Sequence, residues 1–167
     1  SPSLVSPENH GNACAGIIGA THNNEGVAGI APNCKIMPIR IPELATTKTL
    51  AKAITFAKDN GADIISNSWG IDTNVILPTI VNAIDSAAIY GRNNKGCVIT
   101  FAVGNTADRI EGDTGYEHFP ANGSCIRIIT VGASDRNNEV ANYSPDGTNL
   151  SVVAPSHKAY NSQISTE

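Results

Sequence analysis

Two polar side chains have neighbours that suit them to acid-base or hydrogen-bonding chemistry. His10 is followed at once by Gly11 and further small residues, which predicts an imidazole at the start of a closely packed helix. The helix dipole disfavours a positive charge there, and a general base must be neutral. Asn105 follows an apolar stretch, so its amide donor is expected at the end of a strand. The alternatives are a structural or capping histidine and an asparagine in a turn.

Two backbone segments lie beside these residues, and the first of them, at residues 68–70, could pair with an extended peptide. Each segment ends a predicted strand and contains a glycine that allows another chain to approach closely. They consist of Ser68, Trp69 and Gly70, and of Ala102, Val103 and Gly104. Trp69 can also be interpreted as an ordinary half-buried aromatic. The two interpretations are compatible, because a side chain that lines a binding surface also packs against its neighbours. Ligands of parallel sheets bind just beyond the carboxyl ends of the strands, where both segments are predicted.

Six segments occur in an order that resembles a known family. They are HGNACAG at 10–16, GVAGIAP at 26–32, ISNSWG at 65–70, TFAVGN at 100–105, FPA at 119–121, and ITVGAS through VVAP at 129–155. Each is a weak signal alone. Together they resemble the subtilisin-like serine proteases, the subtilases of peptidase family S8, over nearly the whole chain.

This resemblance implies a serine endopeptidase with a Ser-His-Asp mechanism in the full-length protein. His10 would be the general base, and Asn105 would donate a hydrogen bond to the oxyanion formed at the scissile carbonyl. The two backbone segments would form the sides of the pocket for the side chain before the scissile bond. A polypeptide substrate and a secreted or cell-envelope location follow from the resemblance alone.

Two members of the triad have no counterpart at the expected places. In the family, the aspartate lies in a D-[ST]-G run before the histidine motif, and no such run precedes His10. The serine lies in a G-T-S-[MA] turn after VVAP, whereas Gly147-Thr148-Asn149 lacks the serine and precedes VVAP. Asp63 and Asp72 are poorly placed to replace the aspartate. Residues 1–167 are therefore expected to be the central part of a peptidase domain, inactive and self-associating without its missing segments.

No cofactor is predicted. Many relatives bind calcium at the loop that corresponds to residues 21–27, but this loop is short and its polar candidates are Asn23, Asn24 and Glu25. Because Ca²⁺ takes six to eight oxygen ligands, calcium is possible there but poorly supported. Cys14 resembles the thiol that some members carry beside the catalytic histidine, although a small buried filler is the simpler interpretation. The Phe119–Pro120 bond matches a position that is often cis in the family.

Composition excludes several other classes of protein. The 167 residues are 41% hydrophobic and 16% charged, with a formal net charge of −4, which is typical of a packed domain and unlike a nucleic-acid-binding one. No apolar run approaches the ~20 residues of a membrane span. The four cysteines are widely spaced, so buried thiols are expected, although a disulfide stays open.

The pattern of apolar residues predicts the elements that hold these side chains. Helices are expected over 10–22, 46–60 and 75–90, the first of them buried, and strands over 34–41, 62–70, 96–105, 125–134 and 150–155. Helices between continuous apolar strands predict an α/β fold: a three-layer, doubly wound, mostly parallel sheet with helices on both faces.

Three hypotheses fit these observations. The first is the central part of a larger serine endopeptidase. The second is a catalytically dead subtilisin-like domain that binds extended peptides, although such a domain needs neither His10 nor Asn105. The third is an unrelated α/β binding domain in which the motifs coincide by chance.

Overall fold

The computed structural model describes residues 7–42, 44–73, 75–106, 118–120 and 125–156. These residues fall into two compact units, the first ending at Leu44 and the second beginning at Ala45. The described ranges contain three helices and six strands.

Helix α1, Pro7–Gly19, is the main element of the first unit and lies three residues earlier than predicted. The prediction that it is buried is wrong, since Ile17 and Ile18 are 44% and 37% exposed. Its small residues pack closely in one place: Gly19 lies against Cys34 and Ile36, whereas Gly11 and Gly16 face open space.

The C-terminal end of α1 is bonded to residues 29–31. Their backbone N–H groups donate over 2.7 to 3.0 Å to the carbonyl of Ala20, just after the helix, and to those of Ile17 and Ile18 in its last turn. These bonds satisfy carbonyls that a helix end otherwise leaves unpaired. Gly29 is required at this contact, because a Cβ there would collide with the backbone nitrogen of Ala20.

The strand predicted over residues 34–41 is not formed. Residues 35–42 have no ladder partner in the described part of the chain, and Pro38 has no N–H to contribute to one. Apolar composition marks a segment that could join a sheet, but a strand exists only where another strand supplies the hydrogen bonds.

Helix α2, Thr47–Asp59, opens the second unit and matches its prediction closely. The Thr46 hydroxyl accepts a hydrogen bond from the Thr49 N–H at 3.2 Å and so caps the first turn. At the other end, Gly61 takes the left-handed conformation that stops the helix, with a φ of 82°.

A parallel sheet of four strands forms the centre of the second unit. The strands are β1 (Ile64–Asn67), β3 (Val98–Ala102), β5 (Ile129–Ser134) and β6 (Val152–Pro155), in that spatial order. Alternate side chains face the core, with Ile65 and Asn67 on β1 beside Ile99 and Phe101 on β3. This arrangement confirms the predicted α/β class with a parallel sheet.

Helix α3, Pro78–Asn94, follows β1 and packs against α2. It begins three residues later than predicted, because Pro78 occupies the first turn, where a proline costs no hydrogen bond. Regular helical geometry ends before Gly91, and Arg92, Asn93 and Asn94 all have positive φ. The buried sides of α2 and α3 supply the helical part of the core, namely Leu50, Ala51, Ile54, Ala57, Ile80, Ala83, Ile84 and Ala87.

A second, very small sheet was not predicted from the sequence. Strand β2 (Ile71–Asp72) pairs antiparallel with β4 (His118–Phe119), and the Phe119–Pro120 bond is cis, as the resemblance implies. Strands of two residues are too short to show a periodic pattern. None of the helices in the described ranges has the length and apolar character needed to cross a membrane.

Candidate active site

His10 lies in the first turn of α1, close to the predicted helix start. Its side chain is exposed, and its Nε2 atom is 3.8 Å from the Sγ atom of Cys14, one helical turn further along. Cys14 is half-buried rather than a buried filler. The imidazole is therefore accessible to a reaction partner, and its role as a base stays a prediction.

The carboxyl ends of β1 and β3 lie side by side in the second unit. Asn67 on β1 is opposite Phe101 on β3, so residues 68–70, which follow β1, and residues 102–104, which end and follow β3, lie at the same edge of the sheet. The Val103 N–H still donates to the Val131 carbonyl at 3.1 Å. Gly104, with a φ of 101°, then turns the chain and leaves Asn105 exposed. Only glycine adopts this φ without strain, which accounts for the glycine before Asn105.

Trp69 is held at this edge by two contacts. Its Nε1–H donates to Oδ1 of Asn67 at 3.0 Å. Its ring meets that of Phe101 edge to face, with centroids 5.1 Å apart and planes at 77°. The sequence interpretation missed Asn67, although an asparagine at a core-facing position of a strand was a signal that could have revealed it.

The structure thus collects seven of the eight predicted site residues at one sheet edge: Ser68, Trp69, Gly70, Ala102, Val103, Gly104 and Asn105. The eighth, His10, belongs to the first unit. The functions assigned to all eight stay predictions.

Asp63, one of the two alternative carboxylates, lies away from this edge. Asp63 precedes β1 at the amino end of the sheet, where Oδ1 accepts a hydrogen bond from Nε of Arg92 at 2.7 Å. A polar cavity of about 590 Å³ lies at that same end, lined in part by Lys58, Asp63 and Arg92. The side chain of Asp72 lies outside the described residues. So does Asp113-Thr114-Gly115, a D-[ST]-G run that follows the histidine motif instead of preceding it.

Residues 21–27 offer few side-chain ligands for a calcium ion. Oδ1 of Asn23 already accepts the Glu25 N–H at 3.0 Å, and Nε2 of His22 is 2.9 Å from the Gly29 carbonyl oxygen. Within the described ranges, no three His, Cys, Asp or Glu side chains group together to hold a metal ion. The side-chain oxygens left in this loop, those of Thr21, Asn24 and Glu25, are fewer than the six to eight that calcium takes, so backbone carbonyls would have to supply the rest.

All four cysteines are thiols, and they divide by burial. Cys34 is exposed and Cys14 half-buried, whereas Cys97 and Cys125 are buried. Burial, followed by the charge of Asp85, raises the pKa of Cys125 to about 12, and burial also raises the pKa of Cys97. The expectation of buried thiols is correct for these two residues.

This division predicts selective thiol labelling. We expect a disulfide reagent at pH 8 to modify Cys14 and Cys34 in the native chain and all four cysteines after denaturation, because only a thiolate reacts. Labelling of Cys125 as fast as Cys34 in the native state would contradict the burial.

The raised pKa of Cys125 predicts a loss of stability at alkaline pH. The pKa of Cys125 rises from the ordinary 9.0 to about 12 on folding, so its contribution is complete below pH 9 and declines as the pH approaches 12. The urea midpoint of the parent should fall over this pH range, and the midpoint of Cys125→Ala should fall less steeply. Equal slopes would exclude this origin.

A model of the Peptidase_S8 subtilase family matches residues 2–167, and the chain belongs to this family. The hypothesis of an unrelated binding domain is therefore wrong. The chain is 35% identical over 176 residues to the calcium-dependent protease of Trichormus variabilis, covering 97% of this chain and 25% of that protein. It is 38% identical over 151 residues to the thermophilic serine proteinase of Bacillus sp. strain AK1, covering 88% and 34%.

A solved protease structure from Pseudoalteromonas arctica has the same fold. It superposes with a TM-score of 0.73 at 32% identity, over 87% of this chain and 43% of that one. The chain thus spans a quarter to a third of the length of the two curated relatives and less than half of this solved chain.

Proposed function

We propose that the full-length protein is a serine endopeptidase, with His10 and Asn105 contributed by this chain. The observation that carries the proposal is the shared carboxyl edge of β1 and β3, where both predicted peptide-binding segments and Asn105 lie. Membership of the subtilase family supports the reaction class.

In the proposed mechanism, an extended peptide pairs with the backbone of residues 68–70 and 102–104. The serine hydroxyl attacks the scissile carbonyl, and His10 takes its proton as the bond forms. The side-chain amide of Asn105 donates to the oxygen that becomes negative. His10 then gives the proton to the leaving amine. In the second half of the reaction, water attacks the acyl-enzyme while His10 takes its proton, and that proton passes to the serine oxygen as the acid product leaves.

The proposal assigns the serine and the aspartate to other parts of the full-length protein, so the isolated 167 residues are inactive. One face of the sheet exposes apolar side chains, among them Ile64 and Val98. Because exposed apolar patches favour association, this face supports the prediction that the isolated chain self-associates. We further propose export, as in the family, and assign no cofactor, because residues 21–27 offer few side-chain oxygens for calcium.

A fluorophosphonate probe tests the proposal, because it labels only an activated serine. We expect labelling of the full-length protein and none of the 167-residue chain, with hydrolysis of a chromogenic peptide following the same pattern. The same reading frame should encode a D-[ST]-G run upstream of this segment and a G-T-S run downstream of it.

The competing proposal is the catalytically dead domain. A full-length protein that binds extended peptides but is neither labelled nor hydrolytic would establish that alternative. Labelling of the isolated chain would instead place a nucleophile within these 167 residues.

A further inference from the structure

Asn67 is a buried polar residue at the last position of β1. Its side chain is 6% exposed and points to the core between Ile65 and the neighbouring strand. Nδ2 donates to the carbonyls of Ile65 at 3.2 Å and Thr100 at 3.0 Å, while Oδ1 accepts from Trp69. A buried amide is costly unless it is hydrogen-bonded, and here both ends are.

The orientation of this amide is fixed by its partners. The indole Nε1–H of Trp69 only donates, so the atom that faces it must be the amide oxygen. The two carbonyls only accept, so they require the amide nitrogen. One side chain therefore bonds Trp69 and also links β1 to the backbone of β3, just before the segment that leads to Asn105.

Trp69 has a second restraint from the same neighbouring strand. Phe101 is fully buried, is the register partner of Asn67, and meets the indole edge to face. Such aromatic pairs have a preferred geometry, and the hydrogen bond at Nε1 selects one rotation of the ring within it. Asn67 thus holds the indole at its polar end, and Phe101 contacts its ring system.

We infer that Asn67 is a positioning residue, which sets the orientation of Trp69 and so the shape of the peptide-binding segment at residues 68–70. The inference rests on the proposed function for the role of that segment in substrate binding. The positioning of Trp69 itself does not rest on the proposed function, because it follows from the contacts of Asn67 and Phe101. The two parts therefore have separate tests.

The first test uses fluorescence, since Trp69 is the only tryptophan in the chain. In Asn67→Leu the indole loses its acceptor, and we expect acrylamide to quench its emission about twofold more efficiently, with lower anisotropy. Ile65→Val, a change at the preceding core position of β1, should leave both values unchanged. Asn67→Asp keeps the acceptor while losing both donors, so its quenching should stay near the parent's.

Equal quenching in Asn67→Leu and the parent would overturn the inference, as would an equal rise in Ile65→Val. If Asn67→Leu does not fold, Asn67→Ser carries the same expectation, because its hydroxyl is too short to reach the indole.

The second test is a double-mutant cycle in the full-length protein. We expect Asn67→Leu to raise KM for a p-nitroanilide peptide about three- to tenfold with a smaller change in kcat, and to have no further effect in a Trp69→Phe background. An unchanged KM, or the same rise in the Trp69→Phe background, would exclude positioning through Trp69. Absence of hydrolysis in the parent would instead refute the proposed function and leave the fluorescence result to decide the positioning.

Discussion

Replacing His10 with alanine is expected to abolish peptide hydrolysis by the full-length protein while leaving its fold intact. The serine hydroxyl is a weak nucleophile without a base to take its proton. In a subtilisin, removal of the histidine base lowers kcat by about 10⁶, and we expect a loss of that order. The fold should persist because His10 is exposed in the first turn of α1 and fills no part of a core.

The measurement is kcat for a chromogenic peptide, with circular dichroism as the test of folding. Asn12→Ala is the matched control, since Asn12 is exposed on the same helix and has no role in the proposed mechanism. Its activity should equal that of the parent. If His10→Ala retained more than about a tenth of kcat, the assignment of His10 as the base would be wrong, because general-base catalysis alone contributes about 10² or more.

Asn105→Ala carries the second large effect, a fall in kcat of about 10²–10³ with KM nearly unchanged. The magnitude is the one known for an oxyanion-hole asparagine in a subtilisin. The split between kcat and KM follows because the amide bonds an oxygen whose negative charge exists only in the transition state. Since Asn105 is exposed at the sheet edge, truncation opens no cavity that would complicate the result.

Two further variants sharpen the test of Asn105. Asn105→Asp has nearly the same shape but places an acceptor, and a negative charge, against the developing oxyanion, so its kcat should fall at least as far. Asn82→Ala, an exposed asparagine on α3, should have no effect. A normal kcat in Asn105→Ala would exclude the oxyanion role, and a fall in both asparagine-to-alanine variants would point to altered folding.

The sequence predicts best those elements whose stabilisation is local. Helix α2 is specified by its cap at Thr46, its apolar spacing and the stop at Gly61, and its prediction is accurate to one residue at each end. The central strands β1 and β3 are predicted because core residues fill them, and the helix between them requires a parallel connection.

The errors occur where structure depends on distant partners. Residues 34–41 are as apolar as a strand, but their pairing cannot be read from their own composition. Strands β2 and β4 form because two segments far apart in the sequence meet. Each strand has only two residues, which is too short to show a periodic pattern. The core-facing position of Asn67 could be read from the sequence, but its hydrogen bond to Thr100 becomes visible only when both strands are in place.

The attachment of α1 has a mechanical consequence for His10. The helix is fastened at its C-terminal end through residues 29–31, whereas the imidazole lies in the first turn, nine residues and about 14 Å from Gly19. A tilt of the helix with this attachment as the pivot would therefore displace the imidazole. A tilt of only about 5° at the pivot moves the imidazole by about 1 Å, a displacement large enough to slow a reaction about 100-fold. On the proposal that His10 is the base, a substitution at Gly29 would reach it through the helix, because a Cβ there collides with the backbone of Ala20.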